Sequence, residues 1–138
     1  MRRALALIVV LSLALSLLAL GGCGKPTARS AANAFVNLMK AGKYEEAAKY
    51  WNLDAEGRQK NPDWDTFGKS QRQLIIDKDL APNMARTLEM WSGYFPGATK
   101  VVTCVENGDE AQATLDGGRI GTLRLVKEGE AWKVSDMQ

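Results

Sequence analysis

The chain has 138 residues, no histidine and two cysteines, and it carries 18 lysines and arginines against 16 aspartates and glutamates. The absence of histidine excludes Ser-His-Asp and Cys-His triads and histidine-based zinc sites. Two cysteines are too few for a thiolate zinc site. The sequence contains no Asp-x-Asp-x-Asp-Gly loop of the kind that binds calcium, so we predict no metal. Because the charge is nearly balanced and the basic residues are not clustered, a nucleic-acid surface is not expected.

The N-terminal segment combines a basic start, a long apolar run and a cysteine. Two arginines precede the apolar run 4–20, which is followed by Gly21, Gly22 and Cys23. This order is typical of a secretory signal, because the small residues fit a signal peptidase. The Leu-Gly-Gly-Cys box resembles that of bacterial lipoproteins, in which a diacylglycerol is attached to the cysteine sulfur and the chain is cleaved just before it.

This resemblance implies a signal peptide over residues 1–22, cleavage between Gly22 and Cys23, and lipid attachment at Cys23. Cys23 would carry the diacylglycerol and an N-acyl chain, which would anchor the mature protein in the bacterial cell envelope. Because Gly24 rather than aspartate follows the cysteine, the resemblance implies the outer membrane, facing the periplasm, in a Gram-negative host. The alternatives are an uncleaved transmembrane anchor and an ordinary signal peptide whose cysteine is accidental. A membrane span needs roughly 20 apolar residues, for which the run 4–20 is short.

Downstream of the signal, we divide the chain into a short tether at 23–26 and one domain at 27–138. Cleavage before Cys23 leaves 116 of the 138 residues, which is enough for one hydrophobic core. It also removes both N-terminal arginines, so that basic and acidic residues become equal in number. Thr27 is the predicted N-cap of a helix that ends at Gly42, and apolar spacing predicts a second, shorter helix over 43–51.

The middle of the chain is less regular. Segment 52–63 contains Asn, Asp, Gly and Pro, which indicates a loop with at most one helical turn. Asp63 is the predicted N-cap of a helix that begins at Trp64. Pro82 indicates the first turn of a further helix, which ends near Gly93. The pattern leaves open whether these are two helices or one kinked helix.

From residue 98 onward the apolar period changes to two, which predicts β-strands. Pairs reading Asn-Gly, Gly-Gly and Glu-Gly indicate tight turns between the strands, so that consecutive strands must be antiparallel neighbours. The four predicted strands are 99–106, 110–116, 119–127 and 131–136. Helices followed by such a meander predict an α+β fold, in which N-terminal helices pack on a curved antiparallel sheet of about four strands.

Alternation along these strands also predicts which side chains face the helices. The predicted inward row consists of small and large apolar residues: Ala111, Ala113, Leu115, Leu123, Leu125, Trp132 and Val134. Cys104 lies in a β-branched run, and we interpret it as apolar core rather than as a reactive thiol.

Three sequence segments carry a resemblance to a known family. They are Lys-Tyr-Glu-Glu-Ala at 43–47, Asn-Gly-Asp-Glu-Ala at 107–111 and Leu-Val-Lys-Glu-Gly-Glu-Ala-Trp-Lys-Val at 125–134. Together with the order of elements they resemble the cystatin-like roll, and more narrowly small bacterial lipoproteins of the nuclear transport factor 2-like superfamily, which are related to lumazine-binding-like domains of unknown function. The resemblance implies a conical pocket between the helices and the concave sheet, used as an enzyme site, a ligand cavity or a docking surface.

Five residues are candidates for this pocket: Trp64, Trp91, Tyr94, Trp132 and Asp136. The alternative interpretation is that Trp64 and Trp91 are core residues and that Asp136 is a solvated strand end. An isomerase or cyclase would need Asp136 or Asp116 as general base and Tyr94 as hydrogen-bond donor. Asp116 is equally suited to capping its turn.

We therefore expect a lipid-anchored, non-catalytic domain that binds a small apolar ligand or an envelope protein, with no cofactor other than its covalent lipid. The partners are then the membrane and that ligand or protein, and not a nucleic acid. Two alternatives remain open: an isomerase-like or cyclase-like enzyme, and a structural partner in an envelope assembly. Fold alone does not choose among them.

Overall fold

The computed structural model describes residues 25–138. The predicted signal peptide 1–22, the cleavage site at Gly22 and the lipid-attachment residue Cys23 lie outside the described residues. Within the described part of the chain, no helix combines the length and the apolar character that crossing a bilayer requires.

The first helix, α1 (Ala28–Lys40), begins as its sequence predicts. Thr27 Oγ1 accepts a hydrogen bond from the Ser30 amide at 3.1 Å, and Ser30 Oγ accepts one from the Thr27 amide at 3.1 Å, which forms a capping box. Its inward face consists of Ala28, Ala31, Ala32, Phe35, Val36 and Met39. A short helix, α2 (Tyr44–Ala48), follows directly.

The prediction of a loop over 52–63 is wrong, because most of it forms the helix α3 (Leu53–Lys60). Asn52 caps this helix, and its Oδ1 accepts a hydrogen bond from the Ala55 amide at 3.2 Å. Only Leu53 and Gly57 of α3 are buried, so the helix has no apolar stripe that a periodicity argument could detect.

The predicted capping role of Asp63 is also wrong. Its side chain makes no capping hydrogen bond, and the segment Trp64–Thr66 is a single 3₁₀ turn. The helix that follows, α4 (Lys69–Ile75), begins after Gly68.

Helical backbone continues from α4 through a π turn at Ile76–Leu80 into α5 (Ala81–Met90). The two predicted helices therefore form one continuous helical segment. Pro82 lies in the first turn of α5, as predicted. Proline has no N–H and its ring crowds the preceding turn, so it interrupts regular α-helical hydrogen bonding. The Ala81 amide instead donates to the carbonyl of Ile76, five residues earlier. A last 3₁₀ turn, Ser92–Tyr94, precedes the sheet.

The C-terminal part forms an antiparallel sheet with strand order β1-β2-β3-β4, as predicted. Each of the three connections contains a glycine with a positive φ angle, between 58° and 80°. The first and third connections are tight turns, whereas the second runs over residues 117–121, so β3 begins three residues later than predicted. Register shifts mark a β-bulge in β1 and another in β4, and bulges bend a sheet. The four strands are β1 (Lys100–Asn107), β2 (Glu110–Asp116), β3 (Thr122–Glu128) and β4 (Ala131–Met137).

The hydrophobic core lies between the helices and one face of the sheet. All seven predicted inward residues of β2, β3 and β4 are buried, which confirms the alternation. Phe35 of α1 contacts Phe95 edge to face, with ring centroids 6.0 Å apart. Cys104 packs against this core but is only half-buried. Burial, followed by the charge of Glu106, raises the pKa of the Cys104 thiol, which disfavours a reactive thiolate.

The two edges of the sheet have different neighbours. Beside β4, the Asn52 amide donates to the carbonyl of Val134 at 2.8 Å, and the Val134 amide donates to the carbonyl of Tyr50 at 2.6 Å. Beside β1, the Ala28 amide donates to Glu106 Oε1 at 2.9 Å. The start of α1 is therefore attached to one edge, and the segment between α2 and α3 covers the other.

Candidate functional site

The tryptophan at position 64 has a packing role in the structure. Its side chain is 1% exposed and lies against Gly57 of α3, and its ring centroid is 6.3 Å from that of Phe67. The indole Nε1 donates a hydrogen bond to Asp54 Oδ1 at 2.9 Å. Trp64 thus joins α3 to the 3₁₀ turn.

The other predicted pocket residues lie in separate contact groups. Trp91 packs on Trp51, with ring centroids 6.2 Å apart, whereas Tyr94 is 40% exposed. Trp132 is buried in the core, and Lys127 Nζ lies 5.9 Å from its ring centroid. These contacts do not join the five residues into one site, and none of the five lines any of the three clefts described below.

The two aspartates of the enzyme hypothesis accept hydrogen bonds from their own surroundings. Asp116 is exposed, and its Oδ1 accepts from the Gly117 amide at 2.8 Å. Asp136 is partly exposed, its Oδ1 accepts from the Met137 amide at 2.9 Å, and its Oδ2 accepts from Gln138 Nε2 at 2.8 Å. Both carboxylates therefore serve as local caps in this structure.

A cleft of about 560 Å³ lies beside the β4 edge, between the helices and the β3–β4 hairpin, and we name it the β4-edge cleft. Its apolar wall is formed by Trp51, Leu53, Ile76, Ala81 and Pro82. Its polar wall is formed by Glu45, Lys49, Asp54, Gln73, Asp77, Glu128 and Lys133.

Glu128 is the titratable residue of this cleft with the clearest perturbation. Burial raises the pKa of its carboxyl group, and the nearby charge of Asp54 raises it further, whereas Lys133 and Arg58 act in the opposite direction. Lys133 Nζ donates to the carbonyl of Lys49 at 2.6 Å, so that part of its hydrogen-bonding capacity is used by the backbone.

Asp54 connects the cleft to a group of charged residues on its outer side. Its Oδ2 lies 2.8 Å from a guanidinium nitrogen of Arg58, and its Oδ1 lies 3.9 Å from one of Arg72. Arg58 Nε also donates to Asp65 at 3.0 Å. These contacts fix the Asp54 carboxylate in position beside Glu128.

Neither Glu128 nor the β4-edge cleft was predicted from the sequence. Glu128 precedes Gly129 in a hairpin turn, where a charged residue is ordinarily a solvated surface group. Its neighbour Asp54 lies in the segment that the sequence assigns to a loop. The one available signal was Asn52, whose capping role would have predicted α3 and placed Asp54 in the first turn of that helix.

Two further clefts have different linings. One of about 540 Å³ lies on the outer face of the sheet, beside Gln112, Thr114 and Arg124. Another of about 640 Å³ lies between α2 and α5, beside Arg86 and Glu89. Within residues 25–138, no group of three or more cysteine, aspartate or glutamate side chains is arranged to hold a metal ion.

Comparison with family models, curated proteins and solved structures found no match to this chain. The resemblance to lipoproteins of the nuclear transport factor 2-like superfamily therefore stays a prediction. The α+β architecture itself is that of helices on one face of an antiparallel sheet.

Proposed function

We propose that this protein is a membrane-anchored bacterial lipoprotein whose domain binds a small ligand in the β4-edge cleft without catalysing a reaction. The anchor is supported by the sequence from Leu20 to Cys23, and the binding function is supported by one observation above all. The β4-edge cleft combines an apolar wall with a half-buried carboxylate, which is the usual composition of a ligand site.

The chemistry of the cleft favours a ligand with an apolar body and a positively charged group. Trp51 and Ile76 offer apolar surface, and the polar wall has four carboxylates against two lysines. Arg58 and Arg72 lie against Asp54 from the outer side of the cleft, so Glu128 is the carboxylate on which a bound cation would depend. A cation beside Glu128 and Asp54 would offset the repulsion between these carboxylates. This proposal narrows the expected small apolar ligand to a cationic one.

Matched small molecules test this proposal. Phenethylamine, 2-phenylethanol and phenylacetate share an apolar ring and differ in charge, so isothermal titration and thermal shift compare the charge alone. We expect saturable binding of the amine, weaker binding of the alcohol and none of the acid. Equal responses to all three compounds would contradict a carboxylate-based site.

Two variants on one hairpin assign the binding to the cleft. Glu128→Gln removes the charge that faces the cleft, and Glu130→Gln removes an exposed charge outside it. An ion pair of this partly solvated type contributes up to about 1 kcal/mol, so we expect the amine Kd to rise roughly fivefold for Glu128→Gln and to stay unchanged for Glu130→Gln. Equal affinity of the two variants would locate binding elsewhere.

Ionisation of Glu128 also gives the binding a pH dependence. Because a cationic ligand prefers the ionised carboxylate, affinity should rise as the pH rises through the raised pKa of Glu128. Titration of the amine between pH 4 and 7 checks this, and the Glu128→Gln variant should lose that part of the dependence.

The anchor is tested by mass spectrometry of the mature N-terminus. Attachment at Cys23 predicts a lipid-modified peptide that begins at this residue, and Cys23→Ser should abolish both modification and membrane retention. In a Gram-negative host, Gly24 further predicts fractionation with the outer membrane. An unmodified Met1 in the wild-type protein would contradict the lipoprotein assignment.

The enzyme alternative receives no support from Asp116 and Asp136, since both carboxylates accept hydrogen bonds from neighbouring residues as local caps. The alternative of a structural partner in an envelope assembly would place the contact on a protein surface rather than in the cleft. Cross-linking in intact cells separates this alternative from ligand binding.

A further inference from the structure

The tether between the proposed lipid anchor and the domain is short. Gly24 to Pro26 are the residues that separate Cys23 from Thr27, the N-cap of α1. An extended chain advances at most about 3.6 Å per residue, so the Cα atoms of Cys23 and Thr27 are separated by no more than roughly 14 Å. A lipid on Cys23 would therefore hold the start of α1 close to the bilayer surface.

The start of α1 is fixed to a particular part of the domain. The Ala28 amide donates to Glu106 Oε1 at 2.9 Å, and a guanidinium nitrogen of Arg29 donates to the carbonyl of Val102 at 3.2 Å. Both acceptors belong to β1, the edge strand of the sheet. The tether therefore leaves the domain beside the β1 edge.

The surface around this exit point has basic and apolar groups. Lys25 and Arg29 are exposed, as is Glu106, so the basic residues outnumber the acidic one by one. Val102 and Val105 are 45% and 67% exposed, and Val105 also lines the cleft on the outer face of the sheet. Basic residues beside an anchor are attracted to anionic lipid headgroups, and apolar side chains are favoured at the boundary of the acyl chains. We name Lys25, Arg29, Val102 and Val105 the anchor-side surface.

We propose that the anchor-side surface docks on the lipid bilayer, so that the β1 edge faces the membrane and the β4-edge cleft faces away from it. This inference rests on the anchor in the proposed function, but an uncleaved transmembrane anchor would place the same tether at the same exit point. Three strand spacings of about 4.8 Å separate β1 from β4, so the cleft lies roughly 14 Å further from the lipid. Its opening is then accessible from the aqueous side.

Spin labels on the full-length, membrane-extracted protein test this orientation in vesicles of phosphatidylethanolamine and phosphatidylglycerol. A Cys104→Ser background leaves one introduced cysteine for labelling, because a thioether at Cys23 does not react. A label at Val105→Cys should be reached more by oxygen and less by a nickel chelate than a label at Gln59→Cys on α3. Equal accessibility of both labels to the two reagents would overturn the docking inference.

The same samples separate failure of the docking inference from failure of the proposed anchor. Mass spectrometry that finds a second spin label on Cys23 would show a free thiol there and contradict lipid attachment. A lipid-modified Cys23 together with fully aqueous labels at both sites would keep the anchor and reject the orientation. These two outcomes cannot be confused.

Charge removal tests the headgroup contact. Lys25→Gln lies in the anchor-side surface, whereas Lys60→Gln removes an exposed charge at the end of α3. We expect Lys25→Gln to reduce the ratio of docked to undocked protein about fivefold in anionic vesicles and to have no effect in zwitterionic ones. An unchanged ratio in anionic vesicles, or the same loss with Lys60→Gln, would contradict a contact at Lys25.

Discussion

The two edges of the sheet differ in how their unpaired backbone groups are treated. At the β4 edge, the chain's own segment Tyr50 to Asn52 exchanges two backbone hydrogen bonds with Val134. At the β1 edge, a bulge at Val102 interrupts the register, and Arg29 donates to the carbonyl of that residue. One edge is thus covered by main chain and the other by a charged side chain and an irregular strand.

This difference has a functional consequence. An uncovered edge strand can pair with another chain, and bulges and charged residues are common ways to prevent this. The covered β4 edge is thick enough to form a cleft, because α3 and the π turn lie beside it. At the β1 edge, the Ala28 amide and the Arg29 side chain contact the strand, and the proposed tether would leave the domain there.

The largest expected change in the free energy of unfolding comes from Trp64, which packs against the helix α3 beside the β4-edge cleft. Trp64 fixes α3 through its buried ring and its hydrogen bond to Asp54. We expect Trp64→Ala to lower the free energy of unfolding by about 3–5 kcal/mol, as measured by urea unfolding followed by circular dichroism. Trp64→Phe keeps an aromatic ring and should lose less than half of that amount. A loss below about 1 kcal/mol for Trp64→Ala would mean that α3 is held by other contacts.

A second, smaller effect tests the same contact from the side of the helix. A Cβ atom at Gly57 would lie 2.5 Å from two ring atoms of Trp64, whereas one at Gly93 would meet no atom within 4 Å. Overpacking costs about 1–3 kcal/mol, and an alanine in a helix is otherwise favoured over glycine by about 1 kcal/mol, so we expect a net loss of up to about 2 kcal/mol for Gly57→Ala. Gly93→Ala should change the stability by less than about 0.5 kcal/mol. Equal stability of both variants would contradict the close packing of Trp64 on α3.

The sheet was more predictable from the sequence than the region beside it. Alternation and glycine turns predict four strands, and β2 has the predicted bounds, because strand period and turn conformation are local properties. The helix α3 was missed because it buries little and contains Gly57, whose small size matters only once Trp64 lies against it. The cleft was missed for the same reason, since Asp54 and Glu128 are neighbours only in the folded chain.

A third prediction concerns the residue that precedes β1. Thr99 is fully buried, and its hydroxyl group has no hydrogen-bond partner within the described residues. Because an unpaired buried hydroxyl is unfavourable, Thr99→Val should raise the free energy of unfolding by about 1 kcal/mol. Thr99→Ser keeps the hydroxyl, loses a methyl group and should be destabilised. A destabilised Thr99→Val variant would show that the hydroxyl has a partner in solution.

The smallest expected change in stability concerns Glu128, beside the β4 edge, and it depends on pH. Burial and Asp54 raise the pKa of Glu128 in the folded protein, so the folded state retains this proton to a higher pH than the unfolded state does. Below the ordinary glutamate pKa of about 4.3, both states are protonated and the wild type has no disadvantage relative to Glu128→Gln. As the pH rises from there through the raised pKa, ionisation of Glu128 costs the folded wild type free energy. Glu128→Gln should therefore become more stable relative to the wild type. The difference should be less than about 1 kcal/mol, because the side chain is partly solvated. Thermal unfolding between pH 4 and 7 measures this difference, and Glu130→Gln, on the same hairpin, should show no such change. A difference that closes with rising pH would mean that Lys133 and Arg58 outweigh burial, and a cationic ligand would then gain little from Glu128.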